Sequence, residues 1–125
     1  MDTTELYIKM CEQSWPDLKA YRIYLSRKLR MLYAFEGKVV FWRDNVNTSN
    51  YDRGFPLWEQ DQLQEMVGGW TIELLDKFYN FCMWDEQFEE LREKMCPVSM
   101  EQLWLTFVMK SLYQKVWDGE NWTKK

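Results

Sequence analysis

Apolar residues recur every three or four positions along most of the chain, the period of helices packed on a core. The front part opens with Asp2 or Thr3 as a helix cap and a short amphipathic run that ends near Ser14. The segment from Ser14 to Asp17 is a second start signal, because it joins a cap residue, a proline and an acid. The pattern that follows predicts a helix over residues 17–32. Its apolar stripe is Leu18, Tyr21, Leu25, Leu29 and Leu32.

The helical period changes near Phe35, and β-branched and aromatic residues then predict a strand over Lys38–Trp42. A lone strand needs a partner. Met31–Phe35 supplies a hairpin arm if the preceding helix stops early; otherwise the partner lies elsewhere in the chain or on another chain. The polar residues 43–54 are rich in Asn, Asp and Ser and predict a loop that divides the front part from a helical back part.

The back part has four helical patterns. Gln60–Val67 is ended by two glycines, and a second helix begins at Thr71. The predicted inward face of this second helix is Ile72, Leu75, Phe78, Tyr79 and Cys82. Asp85–Met95 is short and acidic. The last helix is predicted from Met100 to about Trp117, with a Ser99–Gln102 capping box and Gly119 as its C-terminal cap.

These elements predict a mainly α fold, α+β at most, with one short β-strand or hairpin around residues 38–43. The 125 residues predict a single domain over 1–125. Apolar residues make up 46% of the chain, enough for a core, but the aromatic share of 18%, with eight Trp, is high. Because this exceeds what a small core needs, we expect at least one exposed aromatic patch.

Charge, cysteine content and hydropathy indicate the cellular compartment in which the protein works. The net charge of −4 is unevenly divided: residues 1–56 carry nine basic and seven acidic residues, and residues 57–125 carry seven and thirteen. The chain has three cysteines, an odd number, and none of them forms a Cys-x-x-Cys motif: Cys11, Cys82 and Cys96. This content favours a reducing compartment. The N-terminus does not have the pattern of a signal peptide, and no apolar stretch reaches the length of a bilayer span. We therefore expect a cytoplasmic protein without a membrane partner.

The composition argues against catalysis and against a metal or cofactor. The chain has no His, the commonest general base and a frequent metal ligand. The paired carboxylates Asp85-Glu86 and Glu89-Glu90 lie on a polar helix face, and Cys82 or Cys96 would need a basic partner to act as a nucleophile. The sequence contains no Gly-rich loop of the kind that binds phosphate in nucleotide-binding proteins. We predict a protein that is not an enzyme, with no catalytic, cofactor-binding or metal-binding residues.

Two segments resemble a known group of proteins. Ser99–Leu105 and Phe107–Lys110, followed by Lys115–Trp117, resemble the C-terminal segment of an uncharacterised family of small phage and prophage proteins of low-GC Gram-positive bacteria. The same match includes Tyr113, Gly119, Glu120 and Trp122. In that family a Leu-Pro-Thr-Gln stretch leads into Gln-Leu-Gln-Glu-Met. Leu57–Met66 matches its Gln-rich half, but Trp58 and Glu59 replace the Pro and Thr, which weakens the usual helix start.

The resemblance covers about a quarter of the chain. It implies a phage context and the cytoplasm of a host bacterium, and no mechanism. Together with the aromatic excess, it leads to the prediction of a small phage-encoded protein that binds a host or phage protein, for example as an inhibitor of a host defence or nucleic-acid-processing enzyme. The predicted partner-binding residues are Trp42, Tyr51, Trp58 and Trp84.

Two alternatives remain open. The protein could bind nucleic acid through the basic helix 17–32, whose cations Arg22, Arg27, Lys28 and Arg30 could follow a phosphate backbone. It could instead be a homo-oligomeric structural or assembly protein that self-associates through the edge of the Lys38–Trp42 strand. Nucleic-acid binding should weaken steeply with added salt and with charge reversal at Arg27 and Lys28. Self-association through the strand should be lost when Val40 is replaced by Pro, without loss of helix content.

Overall fold

A computed structural model of the chain describes residues 4–19, 30–35, 38–43, 54–69, 71–94 and 99–124. In these ranges it contains five α-helices and five short β-strands. They belong to two compact units, an N-terminal unit, Thr3–Trp58, and a C-terminal unit, Glu59–Lys125. The mainly α, α+β fold class is therefore confirmed. That residues 1–125 form a single domain stays a prediction.

The N-terminal unit begins with helix α1, Glu5–Leu18. The hydroxyl oxygen of Thr4 accepts the backbone N–H of Tyr7 at 3.2 Å, so Thr4 is the cap rather than Asp2 or Thr3. The predicted second start at Ser14 is wrong, because α1 continues through Pro16 to Leu18. Ser14 is buried, and its hydroxyl donates to the carbonyl of Cys11 at 2.9 Å within the same helix instead of capping a new one.

Three strands form an antiparallel sheet in this unit: β1, Arg30–Phe35; β2, Lys38–Arg43; and β3, Gly54–Pro56. β1 is central, with β2 and β3 on either side. Tyr33 of β1 lies opposite both Val40 of β2 and Pro56 of β3. The predicted hairpin around residues 38–43 is confirmed, and Met31–Phe35 is part of the strand that pairs with it.

The helix predicted over residues 17–32 is wrong at its C-terminal end. Arg30 begins β1 and lies opposite Arg43 in the ladder, so it is not on a helix. β-branched and aromatic residues in the neighbouring strand favour this pairing over continuation of the helical stripe. Arg22, Arg27 and Lys28 lie outside the described residues, as does most of the predicted loop over residues 43–54.

The C-terminal unit contains helices α2, Gln60–Val67; α3, Thr71–Trp84; α4, Glu86–Lys94; and α5, Met100–Tyr113. α5 is the core helix, since every residue from Trp104 to Met109 is buried. Its predicted start is confirmed, because the Ser99 hydroxyl oxygen accepts the Gln102 N–H at 3.1 Å and the Gln102 side-chain oxygen accepts the Ser99 N–H at 3.4 Å. The N–H of Glu59 donates to the side-chain oxygen of Gln62 at 2.9 Å, so α2 starts without the Pro-Thr pair.

The chain ends in a hairpin of strands β4, Lys115–Trp117, and β5, Trp122–Lys124, where the last helix was predicted to continue. α5 instead stops at Gln114, whose φ of 54° is left-handed. The two strands pair Trp117 with Trp122, whose ring centroids are 5.2 Å apart. Gly119, predicted as a helix cap, lies in the hairpin turn with a φ of 110°, which glycine adopts readily.

Candidate protein-binding face on helix α3

Helix α3 turns one face toward the core of the C-terminal unit. The ring of Phe78 stacks on the indole of Trp104, with centroids 3.8 Å apart and planes 8° apart. One turn further along, Phe81 lies 5.3 Å from the Phe107 ring and 4.8 Å from the Phe88 ring, measured between centroids. Leu74, a turn before Phe78, is buried. Positions 74, 78 and 81 repeat at helical spacing and hold α3 against α4 and α5.

The opposite face of α3 is apolar and exposed. Ile72 is 84% exposed, Leu75 48%, Tyr79 58% and Met83 47%. At 100° per residue these four side chains fall within a sector of about 80°, and they extend about 16 Å along the helix. We call this set the α3 stripe. A contiguous apolar surface rimmed by polar residues is typical of a binding site on a small protein.

The face predicted to be inward is corrected by this arrangement. Ile72, Leu75 and Tyr79 were expected in the core with Phe78, but they face outward. α3 carries apolar residues on two opposite sides, and periodicity alone reveals a stripe without revealing which side meets the core. The structure decides the question, because Phe78 stacks on Trp104 of α5 whereas Ile72, Leu75 and Tyr79 remain exposed.

An open cleft of about 450 Å³ lies at the N-terminal end of the α3 stripe, between α2 and α3. Its lining includes Asp61, Gln64, Glu65, Thr71, Leu74 and Leu75. Leu75 belongs to both the cleft and the α3 stripe, so the two surfaces are continuous. Gly68 and Gly69, which also line the cleft, have φ values of 73° and 95° and turn the chain from α2 into α3.

The charges around the α3 stripe are mainly negative. Asp76 is exposed beside the stripe, about 40° from Ile72 around the helix, and Glu86 is exposed just beyond its C-terminal end. The Lys77 ammonium lies 3.3 Å from the Glu73 carboxylate, which balances that cation within the helix. From Gln60 to Lys94 the sequence has nine acidic and three basic residues. The charged residues beside the α3 stripe and just beyond its C-terminal end, Asp76 and Glu86, are therefore both acidic.

The structure describes three of the four predicted partner-binding residues. Trp84 is 73% exposed at the C-terminal end of α3, but it lies about 100° around the helix from Met83 and so is not part of the α3 stripe. Trp58 is fully buried in the N-terminal unit, where its carbonyl accepts the Tyr7 hydroxyl. Trp42 is in β2, and Tyr51 lies outside the described residues. Of the four, Trp84 alone is described at the exposed surface.

Sequence reasoning missed three features of this site: the outward direction of Ile72, Leu75 and Tyr79, the contribution of Met83, and the cleft. One signal was present. Leu74, Phe78 and Phe81 form a second apolar stripe roughly opposite the first, and a helix with two such stripes has more apolar surface than one neighbour can cover. A doubly apolar helix near the surface is therefore a pattern that predicts an interaction face.

The described residues offer little for other kinds of site. Among them, no three His, Cys, Asp or Glu side chains are grouped so that they could hold a metal ion. No helix in the described ranges has the length and hydropathy needed to cross a bilayer. The feature with the clearest chemistry is the α3 stripe, which can bury apolar surface on a partner and can attract positive charge at its edges.

Comparisons with protein-family models, curated proteins and solved structures find no match for this chain. The resemblance of Leu57–Met66 and Ser99–Lys110 to a phage family therefore stays a prediction.

Proposed function

We propose that this chain is a non-enzymatic binding protein that uses the α3 stripe to hold a partner protein with a basic, partly apolar surface. The observation that carries the proposal is the exposure of Ile72, Leu75, Tyr79 and Met83 on one side of a helix whose other side is packed on aromatic residues. Leaving such a surface in water is unfavourable by about 25 cal/mol for each Å² of apolar area, and a partner removes that penalty.

The charge distribution supports a basic protein rather than other occupants. Nucleic acid and anionic lipid surfaces carry the same sign as residues 57–125, whose net charge is −6 from thirteen acidic and seven basic residues. A second copy of the chain would bring Asp76 and Glu86 toward their own counterparts or other carboxylates, and like charges brought together oppose association. A protein with lysine or arginine around an apolar centre meets both requirements.

One form of this function is inhibition of a host defence or nucleic-acid-processing enzyme by a phage-encoded protein. Enzymes that hold nucleic acid use basic surfaces to neutralise phosphates. An acidic domain with an exposed apolar stripe fits such a surface. The net charge of −6 in the back part supports this form, and the phage origin rests on the sequence resemblance alone.

The experiment compares what the tagged chain and two variants retain from a nuclease-treated bacterial lysate, identified by mass spectrometry. The variant Leu75→Ser/Tyr79→Ser removes half of the α3 stripe. The control Met100→Ser removes a similarly exposed apolar side chain at the start of α5. We expect at least one basic protein to be retained by the wild type and the control and lost from the stripe variant. Identical retention by all three proteins would overturn the proposal.

A second candidate function is self-association through β2. The observation that favours it is the position of this six-residue strand at one edge of the sheet, with β1 on its other side. An edge strand offers backbone N–H and C=O groups to another strand. Pairing of β2 with the β2 strand of a second copy would join two three-stranded sheets into one. Sedimentation of the purified chain over a range of concentrations tests this candidate.

A further inference from the structure

We propose that the partner covers the α3 stripe with a basic amphipathic helix, whose apolar side chains pack on the stripe and whose lysine or arginine side chains lie against the acidic residues around it. This inference rests on the proposed function and names the kind of surface that the partner presents. It concerns the α3 stripe together with the continuous cleft at its N-terminal end.

The shape of the α3 stripe favours a helix as its occupant. Its side chains follow one another at spacings of three, four and four residues, which places them about 4.5 to 6 Å apart along the axis. Two helices with this spacing interlock their side chains at an axial separation of about 8 to 10 Å. An extended strand would leave its backbone N–H and C=O groups without partners, because the peptide groups of α3 bond within the helix. The backbone N–H and C=O groups of a helix, by contrast, bond to each other within the helix.

The charges favour a basic polar face on that helix. Asp76 lies beside the middle of the stripe, and Glu86 lies just past its C-terminal end. The exposed cation on α3, Lys77, is already balanced by Glu73. Around the N-terminal end, the cleft joins apolar walls at Leu74 and Leu75 to a polar rim. The long side chain of lysine or arginine suits such a place, since its methylene stem can lie on leucine while its charged end stays at the rim.

Three synthetic peptides of about 18 residues, five turns of helix, test the inference. The cationic peptide has leucines at helical spacing and lysines on the opposite face. The anionic peptide replaces each lysine by glutamate. The scrambled peptide has the composition of the cationic one without a continuous apolar face. Binding of each to the full chain is measured by titration calorimetry at about physiological ionic strength, where exposed charges more than about 8 Å apart are largely screened.

We expect the cationic peptide to bind the chain at least about tenfold more tightly than the anionic and scrambled peptides, because only it matches both the stripe and the charges. Leu75→Ser/Tyr79→Ser should weaken that binding about tenfold or more, and Met100→Ser should leave it unchanged. Asp76→Asn/Glu86→Gln should reduce the preference for the cationic over the anionic peptide severalfold, while the leucine contacts remain.

Other results overturn the inference in distinguishable ways. Equal affinity for cationic and anionic peptides would refute the basic partner but leave the α3 stripe as a binding face. Equal affinity for cationic and scrambled peptides, or no effect of the stripe variant, would refute the helix. Absence of binding to any peptide would refute the inference while the lysate comparison still decides the proposed function. A dimer that only the stripe variant dissociates would show that a second copy is the occupant.

Discussion

The Phe78 ring lies flat on the Trp104 indole, with 3.8 Å between the centroids. This contact sets the rotation of α3 about its own axis. Tyr79 follows Phe78 by one residue, or about 100° of helix, and is 58% exposed. The aromatic stack therefore has two consequences: it stabilises the C-terminal unit, and it directs the α3 stripe away from the core. Stability and the candidate binding function depend on different side chains of the same helix.

Replacing Phe78 by alanine should lower the free energy of unfolding by about 2 to 3 kcal/mol, somewhat less than for a fully buried phenylalanine. The change removes the stack on Trp104 and the edge contact with Phe107, whose centroid is 5.5 Å away. Urea unfolding followed by circular dichroism measures the effect. Tyr79→Ala is the matched control and should stay within about 0.5 kcal/mol of the wild type. Equal losses in the two variants would contradict the assignment of the inner and outer faces.

Much of the fold could be predicted from local sequence patterns. The start of α5 and the end of α2 follow from local signals, the Ser99–Gln102 capping box and the Gly68-Gly69 pair. The hairpin of β1 and β2 follows from the change of period near Phe35. The end of α5 could not be predicted, because the position of Val116 continues the helical pattern of apolar residues in the sequence. In the structure Val116 is in β4 and pairs with Thr123, a contact between strands that the pattern of a single helix does not reveal.

The candidate site was less predictable for a related reason. A stripe is a property of one helix, but exposure depends on which neighbour covers it. Ile72 and Phe78 are equally apolar in sequence, and only the position of Trp104 on α5 decides that Phe78 turns inward. Trp58 shows the converse: this aromatic residue near the start of a helix is buried, with the Trp15 ring 6.1 Å from its own ring and the Tyr7 hydroxyl donating to its backbone carbonyl. Aromatic excess alone therefore predicts that a binding surface exists without locating it.

The capping box of α5 should contribute measurably to stability. Ser99→Ala removes the hydroxyl that accepts the Gln102 N–H at 3.1 Å, and loss of such a cap lowers the free energy of unfolding by about 1 kcal/mol. Thermal unfolding should show a lower midpoint. Ser111→Ala, at an exposed position in the last turn of the same helix, should have little effect or raise stability slightly, because alanine is the better helix former. A larger loss for Ser111→Ala than for Ser99→Ala would refute the prediction.

The C-terminal hairpin should depend on a single carboxylate in its turn. The Asp118 side chain accepts the N–H groups of Glu120 and Asn121 at 2.8 and 2.7 Å. Asp118→Ala should lower the free energy of unfolding by about 1 to 2 kcal/mol and weaken the near-ultraviolet dichroism that Trp117 and Trp122 give as a close pair. Glu120→Ala is the control, since it keeps the backbone N–H and removes only an exposed side chain. If the two variants behave alike, the turn does not depend on the Asp118 carboxylate.

Two neighbouring proline substitutions can test whether β2 pairs with a second copy. Along an antiparallel strand, successive N–H groups point to opposite sides, so Val39 and Val40 donate in opposite directions, one toward β1 and one toward the outer edge. Proline at the position facing β1 should break the hairpin, with loss of strand signal and of stability. Proline at the outward position should leave the fold intact and abolish any self-association seen by sedimentation. If the chain still associates when its outward N–H is gone and the hairpin is intact, the contact between copies does not use β2.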